Sequence, residues 1–277
     1  MGLNGKVCII TGGGSGIGKA TALKMASEGA IVALLGRTLS KIDAVKTEIE
    51  ASGGRAESYA IDVADKKSVD TIVPKLVKKY GAIDVLLNNA GHSSPHRRLL
   101  STTPEEIEGV VESNLLGTIY CTQAVVPYMT EAGEGTIINV ASMAGVNPSG
   151  LGGMIYSAVK AAVINFTGFL NSDLKNTGIR ASVVIPGEVD TPILDKRPVP
   201  PSKDARSTMV TSEDTAEAIT LIARLPIRTN IPELQIRPTY VRDTSGESEL
   251  TYLLDDLENE SNFGVGVQLT KSKGERK

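Results

Sequence analysis

Residues 7–18 read VCIITGGGSGIG, an unbroken apolar run followed by a turn rich in glycine. Strands that are apolar at every position, and not only at every second one, are typical of parallel sheets buried on both faces. A helical pattern follows directly over residues 17–28, so the glycines stand where a strand passes into a helix. Residues 7–28 therefore predict the first strand, turn and helix of an alternating α/β protein.

The same alternation continues along the chain. Repeated strand–helix–strand units require right-handed crossovers, which place helices on both faces of one parallel sheet. The prediction is a doubly wound α/β fold in a single domain, residues 1–241. The predicted strands are residues 7–10, 31–35, 59–61, 83–87, 136–140, 180–185 and 233–237, and the predicted helices are residues 17–28, 38–51, 66–80, 104–129, 155–175 and 212–224.

Composition limits the partners of the chain. Its 277 residues are 41% apolar and 22% charged with a net charge of −3, which gives no basic surface for nucleic acid. No stretch approaches the ~18 uninterrupted apolar residues of a membrane span, and the N-terminus enters a strand without a signal peptide. Two histidines and two cysteines offer little for a metal site or a disulfide framework. We therefore expect a cytoplasmic protein that binds no metal, membrane or nucleic acid.

Two regions break the alternation. Residues 192–207 are rich in proline and charge and predict a mobile surface loop. Residues 242–277 are polar and predict an appended tail, in which a short helix could form around Tyr252, Leu253, Leu254 and Leu257. A disordered tail and a partner-binding arm, with a scaffold role, both fit this composition.

The glycine turn predicts a dinucleotide site. Small residues at a strand-to-helix turn let the backbone approach a pyrophosphate, and the helix N-terminus supplies free N–H groups and a positive dipole. Lys19 is followed by Ala20, so the lysine–hydroxyl pair of a nucleotide triphosphatase is absent. The predicted contacts of this turn are Gly12, Ser15, Gly16, Ile17 and Gly18.

The residues after the second and third strands bear on which dinucleotide binds. An acidic residue about 20 positions after the glycines would bind the ribose 2′-hydroxyl of NAD, but residues 30–42 contain none. Arg37 stands there, and its guanidinium could pair with the 2′-phosphate of NADP. A solvated arginine that leaves either cofactor acceptable is the alternative. Asp62, followed by Val63, could accept the adenine amino group or cap the helix from Lys66.

Tyr156 is the only tyrosine with a lysine four residues later, Lys160, a spacing that puts both on one helix face. A nearby ammonium lowers a tyrosine pKa, and such a pair can exchange a proton with an alcohol or carbonyl. Taken alone, the pair is more often an incidental surface contact. Ser142 ends the fifth strand, at the sheet edge where ligands bind, and could hydrogen-bond a substrate oxygen.

Asn114 lies inside an apolar helical pattern. Because Asn is a poor helix former, this placement indicates a role in holding a water or bending the helix, with a buried amide satisfied by backbone as the alternative. Residues 88–91, Asn-Asn-Ala-Gly, follow the fourth strand at the ligand edge, where a structural turn explains them equally well. A serine hydrolase would need a Gly-x-Ser-x-Gly frame, which Ser149-Gly150 does not supply.

Together these residues resemble the classical short-chain dehydrogenase/reductase family over roughly residues 5–240. The glycine turn matches its cofactor motif, and residues 88–91 match the motif after strand four. The family's catalytic tetrad is matched in order and spacing by Asn114, Ser142, Tyr156 and Lys160. The segment from Pro186-Gly187 to Thr191-Pro192 matches the one that closes over the nicotinamide. The resemblance also implies cofactor contacts in addition to the glycine turn and the residues after strands two and three. These further contacts are Asn89, Ala90, Gly91, Tyr156, Lys160, Pro186, Gly187, Val189 and Thr191, beside Arg37, Asp62 and Val63 named above.

The resemblance implies a Rossmann-type sheet of seven strands and a homotetramer or homodimer built on the two long helices. It also implies hydride transfer between a nicotinamide cofactor and a small-molecule substrate. Tyr156 would be the general acid/base, and Lys160 would lower its pKa and bind the nicotinamide ribose. Ser142 would orient the carbonyl or alcohol, and Asn114 would hold a proton-relay water.

The predicted function is an NADP(H)-dependent oxidoreductase that interconverts a carbonyl and a secondary alcohol. Gly36-Arg37 matches the family's NADP-preferring pattern, but Ser15 stands where many NADP members place a second basic residue, which leaves NAD open. The alternatives are a dinucleotide-binding regulator without turnover and a 3-oxoacyl carrier-protein reductase. Residues 231–239, IPELQIRPT, lack the Asp-Gly-Gly of many such reductases and look more like members acting on small hydroxy acids, sugars or diverse alcohols.

Overall fold

Seven parallel strands form one sheet in the order β3-β2-β1-β4-β5-β6-β7 in the computed structural model, which describes residues 2–263, with side chains to residue 256. This confirms the doubly wound fold and its seven strands. The order reverses between β1 and β4, and ligands of such sheets bind at the carboxyl ends of the strands beside this reversal. The strands are β1 (Val7–Thr11), β2 (Ile31–Gly36), β3 (Arg55–Ala60), β4 (Val85–Asn88), β5 (Gly135–Val140), β6 (Ile179–Pro186) and β7 (Glu233–Ile236).

Helices connect the strands and lie on both faces of the sheet. A π-helical segment, Glu112–Leu116, joins α4 to α5, and two 3₁₀ segments occupy Met143–Gly145 and Pro192–Lys196. The helices are α1 (Gly16–Ser27), α2 (Leu39–Ala51), α3 (Lys66–Tyr80), α4 (Pro104–Val111), α5 (Gly117–Ala132), α6 (Met154–Asp173), α7 (Lys203–Arg206), α8 (Ser212–Arg224) and α9 (Ser245–Phe263).

The core has two main layers, one on each face of the sheet. Successive residues of a strand point to opposite faces, so Ile10 packs in one layer and Ile9 in the other. The first layer contains buried side chains of α1, α2 and α8, and the second contains those of α3, α5 and α6. These layers bury both faces of β1, which explains its continuously apolar sequence.

The third strand differs from its prediction. It runs over Arg55–Ala60, where the apolar pattern indicated residues 59–61. β3 is an edge strand of the sheet, and only Ala56 of its residues is buried. An edge strand tolerates polar side chains, so a search for apolar runs finds only part of it.

The predicted loop over residues 192–207 contains a 3₁₀ segment and the short helix α7. Leu194 is buried. Arg206 forms ion pairs with Asp190, at 2.8 Å, and with Asp195. These contacts hold the segment against the ligand edge of the sheet.

The chain beyond residue 242 forms α9 as far as the structure describes it, and residues 264–277 of the predicted tail lie outside the described part. The helix is longer than the short one predicted around Tyr252 to Leu257. Asp255 is 2% exposed, and its Oδ2 accepts hydrogen bonds from the backbone N–H groups of Arg97 (2.8 Å) and Arg98 (2.9 Å) and from Ser101 Oγ (2.8 Å). The helix thus packs on the loop after β4. Among residues 2–263, none of the helices combines the length and apolar character needed to cross a membrane.

Candidate active site

A cavity of about 480 Å³ lies at the carboxyl ends of β1, β4, β5 and β6. This is the edge where the reversal of strand order leaves room for a ligand. Most of the predicted site residues line it together: Gly12, Ser15, Gly16, Ile17, Asn89, Gly91, Asn114, Ser142, Tyr156, Lys160, Pro186, Gly187, Val189 and Thr191. The predicted residues that do not line it are Gly18, Arg37, Asp62, Val63 and Ala90.

The glycine turn has a backbone that requires glycine. Gly12 and Gly16 have φ values of +66° and +51°, which side-chain-bearing residues rarely adopt. A Cβ on Gly18 would lie 2.3 Å from the Gly12 carbonyl oxygen, so the start of α1 packs directly on the turn. The Ser15 side chain makes no capping hydrogen bond at the N-terminus of α1. Ser15 therefore leaves the first backbone N–H groups of α1 uncapped, and such groups can donate hydrogen bonds to a phosphate.

Residues 88–91 support the glycine turn. The backbone N–H groups of Asn89 and Ala90 donate to Thr11 Oγ1, at 2.9 and 3.0 Å, and Asn89 Nδ2 donates to the Thr11 carbonyl at 3.1 Å. Asn88 Nδ2 donates to Asn139 Oδ1 at 2.9 Å within the sheet. These bonds explain the motif as a structural turn, and contact of Asn89, Ala90 and Gly91 with a cofactor stays a prediction.

Tyr156 and Lys160 lie one turn apart on α6, with Lys160 Nζ 5.5 Å from the centre of the tyrosine ring. Lys160 Nζ donates to the Val140 carbonyl oxygen at 2.9 Å, which holds the ammonium at the end of β5. Burial lowers the pKa of Lys160 to about 8. Lys160 is therefore buried and Tyr156 half-buried, so the pair is not the incidental surface contact that the spacing alone allows.

The pKa of Tyr156 is raised above its ordinary value. Burial has the largest effect, while a hydrogen bond with Ser142 and the positive charges of Arg97 and Arg197 act in the opposite direction. The sequence predicts that Lys160 lowers this pKa, but in the structure burial outweighs the groups that favour the phenolate. Tyr156 is consequently a phenol at neutral pH.

Asn114 is buried in the π-helical segment between α4 and α5. Its Nδ2 donates to the carbonyl oxygens of His92 (2.8 Å) and Val110 (2.9 Å). Its Oδ1 is buried and has no hydrogen-bond partner in the described part of the chain. A Cβ on Gly91 would lie 2.2 Å from that oxygen, so only glycine fits there. The irregular helix at Asn114 agrees with a bend at this position, and a bound water stays a prediction.

Arg37, Asp62 and Val63 lie outside the cavity. Arg37 is exposed, and its Nη1 is 4.0 Å from Asp62 Oδ2. Asp62 does not cap the following helix, because Asp65 is the N-cap of α3. Val63 is buried, where a Cβ on Gly117 would come within 2.5 Å of its side chain. Adenosine contacts of these three residues stay predictions.

The sequence predicts that residues 92–97 and the loop from Ile193 form walls of the substrate pocket, but it does not predict the part that the segment after residue 241 plays. Arg97 is buried in the loop after β4 and lines the cavity, as do Arg197 and Arg242. Arg242 donates to both carboxylate oxygens of Glu188 at 2.8 Å, which ties the segment after β7 to the one after β6. The position of the loop after β4 at the ligand edge predicts that Arg97 lies in the pocket wall, but it does not predict that the residue is buried. Nothing in the polar sequence after residue 241 indicated a cavity wall.

Comparison with known proteins agrees with this geometry. The family model for short chain dehydrogenase matches residues 6–199. A 3-oxoacyl-[acyl-carrier-protein] reductase of Thermotoga maritima is 41% identical over 200 residues, which are 72% of this chain and 80% of that protein. A metagenomic short-chain oxidoreductase solved in complex with NADP has a TM-score of 0.75 and 31% identity, covering 86% of this chain and 99% of its own.

A serine dehydrogenase in its closed form, complexed with NADP+, has a TM-score of 0.78 and 29% identity. That alignment covers 86% of this chain and 97% of the other. The match to the family model, the shared fold and the cavity at the switch point all lead to one assignment. The chain belongs to the short-chain dehydrogenase family of oxidoreductases.

Proposed function

We propose that the protein is an NADP(H)-dependent oxidoreductase that interconverts a carbonyl and a secondary alcohol, with Tyr156 as general acid/base. The observation that carries this proposal is the convergence of Ser142, Tyr156 and Lys160 on the cavity that the glycine turn also lines. A hydroxyl, a phenol and an ammonium beside a dinucleotide cradle can hold a carbonyl oxygen and exchange a proton with it.

The residues present fit a dinucleotide. Gly12 and Gly16 adopt left-handed backbone conformations, and the N-terminus of α1 has no side-chain cap from Ser15. Arg37 is 67% exposed at the end of β2, where its guanidinium is available to a 2′-phosphate. Two of the solved relatives carry NADP, which supports the same cofactor here. When bound, the nicotinamide supplies or accepts the hydride.

The chain's own residues would handle the proton. In the reductive direction, the Ser142 hydroxyl orients the substrate oxygen and Tyr156 donates its phenolic proton to that oxygen. The raised pKa keeps Tyr156 protonated at neutral pH and thus ready to donate. The phenolate that results is stabilised by the positive charge of Lys160 and, at longer range, by Arg97.

Tyr156→Phe tests the proposal directly. Without the phenolic proton, kcat should fall by about 10²- to 10⁴-fold, while NADPH binding, measured by calorimetry, should stay unchanged. Tyr128→Phe is the matched control, because Tyr128 lies on α5 and does not line the cavity. Turnover that survives in Tyr156→Phe would rule out the assigned role.

A 3-oxoacyl carrier-protein reductase is the second candidate, and the 41% identity to the Thermotoga maritima enzyme favours it. NADPH oxidation with 3-oxoacyl thioesters, compared with small oxo acids and simple ketones, separates the two candidates. A marked preference for thioesters would identify the second. NADPH binding without consumption across the whole panel would instead indicate a regulator.

We also propose a cytoplasmic homodimer or homotetramer assembled on α5 and α6. Phe169 on α6 is 59% exposed, as expected for a side chain that a second copy covers. Cys8 and Cys121 are free and buried, which suits a reducing compartment. We retain residues 1–241 as the catalytic domain and assign Arg242 and Thr244, which follow it, to the wall of the cavity. Light scattering with Phe169→Glu would test the assembly.

A further inference from the structure

Arg97 carries a buried positive charge that no acidic side chain within residues 2–256 neutralises in an ion pair. The residue is 4% exposed. Its Nη1 donates to Ser93 Oγ and to the Gly152 carbonyl oxygen, the latter at 3.0 Å, and its Nε is buried with no hydrogen-bond partner among the residues that the structure describes. Burial lowers the pKa of Arg97 to about 10. A buried charge that lacks a counter-charge is costly to hold, which indicates an anion supplied from outside the chain.

Two other arginines that line the cavity, Arg197 and Arg242, are already paired with carboxylates. Arg197 contacts Glu188 at 2.9 Å, and Arg242 contacts both Glu188 and Glu247. Asp255 attracts Arg97, but its Oδ2 is engaged by backbone N–H groups, and its effect on the Arg97 pKa ranks below burial and the repulsion from Arg197. Among the side chains that the structure describes, Arg97 is therefore the one of these three arginines without a carboxylate partner. Lys160, the other buried cation of the cavity, donates to the Val140 carbonyl oxygen and belongs to the proton-transfer group proposed above.

Arg97 is fixed close to the reacting groups. Its carbonyl oxygen accepts a hydrogen bond at 2.9 Å from the N–H of Met154, the first residue of α6. Its side chain packs on Gly153, where a Cβ would lie 2.8 Å from Arg97 Cδ. Tyr156 follows two residues after Met154, and both Arg97 and Tyr156 line the same cavity. An anion on Arg97 would therefore lie in the space that also holds the substrate oxygen.

We propose that Arg97 binds a carboxylate of the substrate, so that the reaction takes place on an oxo acid or hydroxy acid. The inference rests on the proposed oxidoreductase function. Guanidinium N–H groups match the two oxygens of a carboxylate, and one guanidinium without a carboxylate partner suits a monoanion. The carboxylate would place the neighbouring carbonyl or hydroxyl carbon toward Ser142 and Tyr156.

Binding tests this inference without turnover. We would titrate butanoate, butanamide and methyl phosphate into the enzyme saturated with NADPH and measure each affinity by calorimetry. Butanoate should bind roughly tenfold or more tightly than butanamide. Arg97→Met should abolish that preference, and Arg97→Lys should keep part of it. Arg98→Met is the matched control, because Arg98 pairs with Asp256 and stacks on Tyr252 outside the cavity lining.

Turnover supplies the second measurement. The kcat/KM for 3-oxobutanoate should exceed that for 3-oxobutanamide by about 10- to 100-fold in the wild type and in Arg98→Met. This ratio should approach one in Arg97→Met. It should take an intermediate value in Arg97→Lys, which keeps a positive charge at this position. The lysine variant thus supplies a test even if the methionine variant does not fold. The same ratio for 2-oxo and 4-oxo acids and amides locates the carbonyl relative to the carboxylate.

The outcomes separate the two proposals. Equal wild-type turnover of acids and amides overturns the role of Arg97 and leaves the oxidoreductase intact. A carboxylate preference in binding, without NADPH consumption by any compound, overturns the proposed function and keeps the anion site. Tighter binding of methyl phosphate than of butanoate overturns the assignment to a carboxylate.

Discussion

Asp255→Ala should detach α9 from the loop that carries Arg97. The carboxylate is 2% exposed and accepts three hydrogen bonds of 2.8 to 2.9 Å, two from backbone N–H groups and one from Ser101 Oγ. A hydrogen bond to a charged group contributes about 1.5–3 kcal/mol, and burying the carboxylate costs several kcal/mol in return. Because the alanine also leaves the donors without their acceptor, we expect a net loss of about 3–5 kcal/mol.

The assay is amide hydrogen exchange, which gives a free energy of opening for each segment. That free energy should fall for α9 and for residues 97–102, while the strands of the sheet keep theirs. Asp256→Ala is the matched control, because Asp256 is 21% exposed and its pair with Arg98 lies near the surface, where such a pair contributes about 0–1 kcal/mol. A loss in Asp255→Ala no larger than in Asp256→Ala would refute the reasoning.

Three further changes test the site. Gly91→Ala places a Cβ 2.2 Å from Asn114 Oδ1 and should lower the free energy of unfolding, measured by urea denaturation, by about 1–3 kcal/mol. Gly168→Ala is the control, because Gly168 lies on α6 with open space around it, and this change should not destabilise the protein. Lys160 has its pKa lowered from 10.5 to about 8, so the unfolded chain holds this proton more tightly between those pH values. The free energy of unfolding should therefore rise with pH across that window by up to about 3 kcal/mol, and Lys160→Met should remove this rise; an identical pH dependence in both proteins would contradict it. Arg37→Leu should weaken NADPH binding by about tenfold or more and leave NADH binding unchanged in fluorescence titrations, and equal losses would exclude contact with the 2′-phosphate.

Much of the fold and of the candidate site could be read from local sequence. A strand buried on both faces shows itself as an apolar run, and the turn at residues 11–18 needs glycines whatever surrounds it, because its backbone is left-handed at Gly12 and Gly16. The tetrad residues could be placed by order and spacing, and the structure brings Asn114, Ser142, Tyr156 and Lys160 to one cavity.

Only the tertiary structure decided which charges are paired and which are buried. Arg97 and Asp255 are 158 positions apart, and neither polar segment carries a local sign of their contact. The raised pKa of Tyr156 likewise reflects burial among several elements and outweighs the effect expected from sequence spacing. Apolar periodicity and backbone geometry are properties of a few neighbouring residues, whereas burial and charge pairing depend on everything that folds around a group.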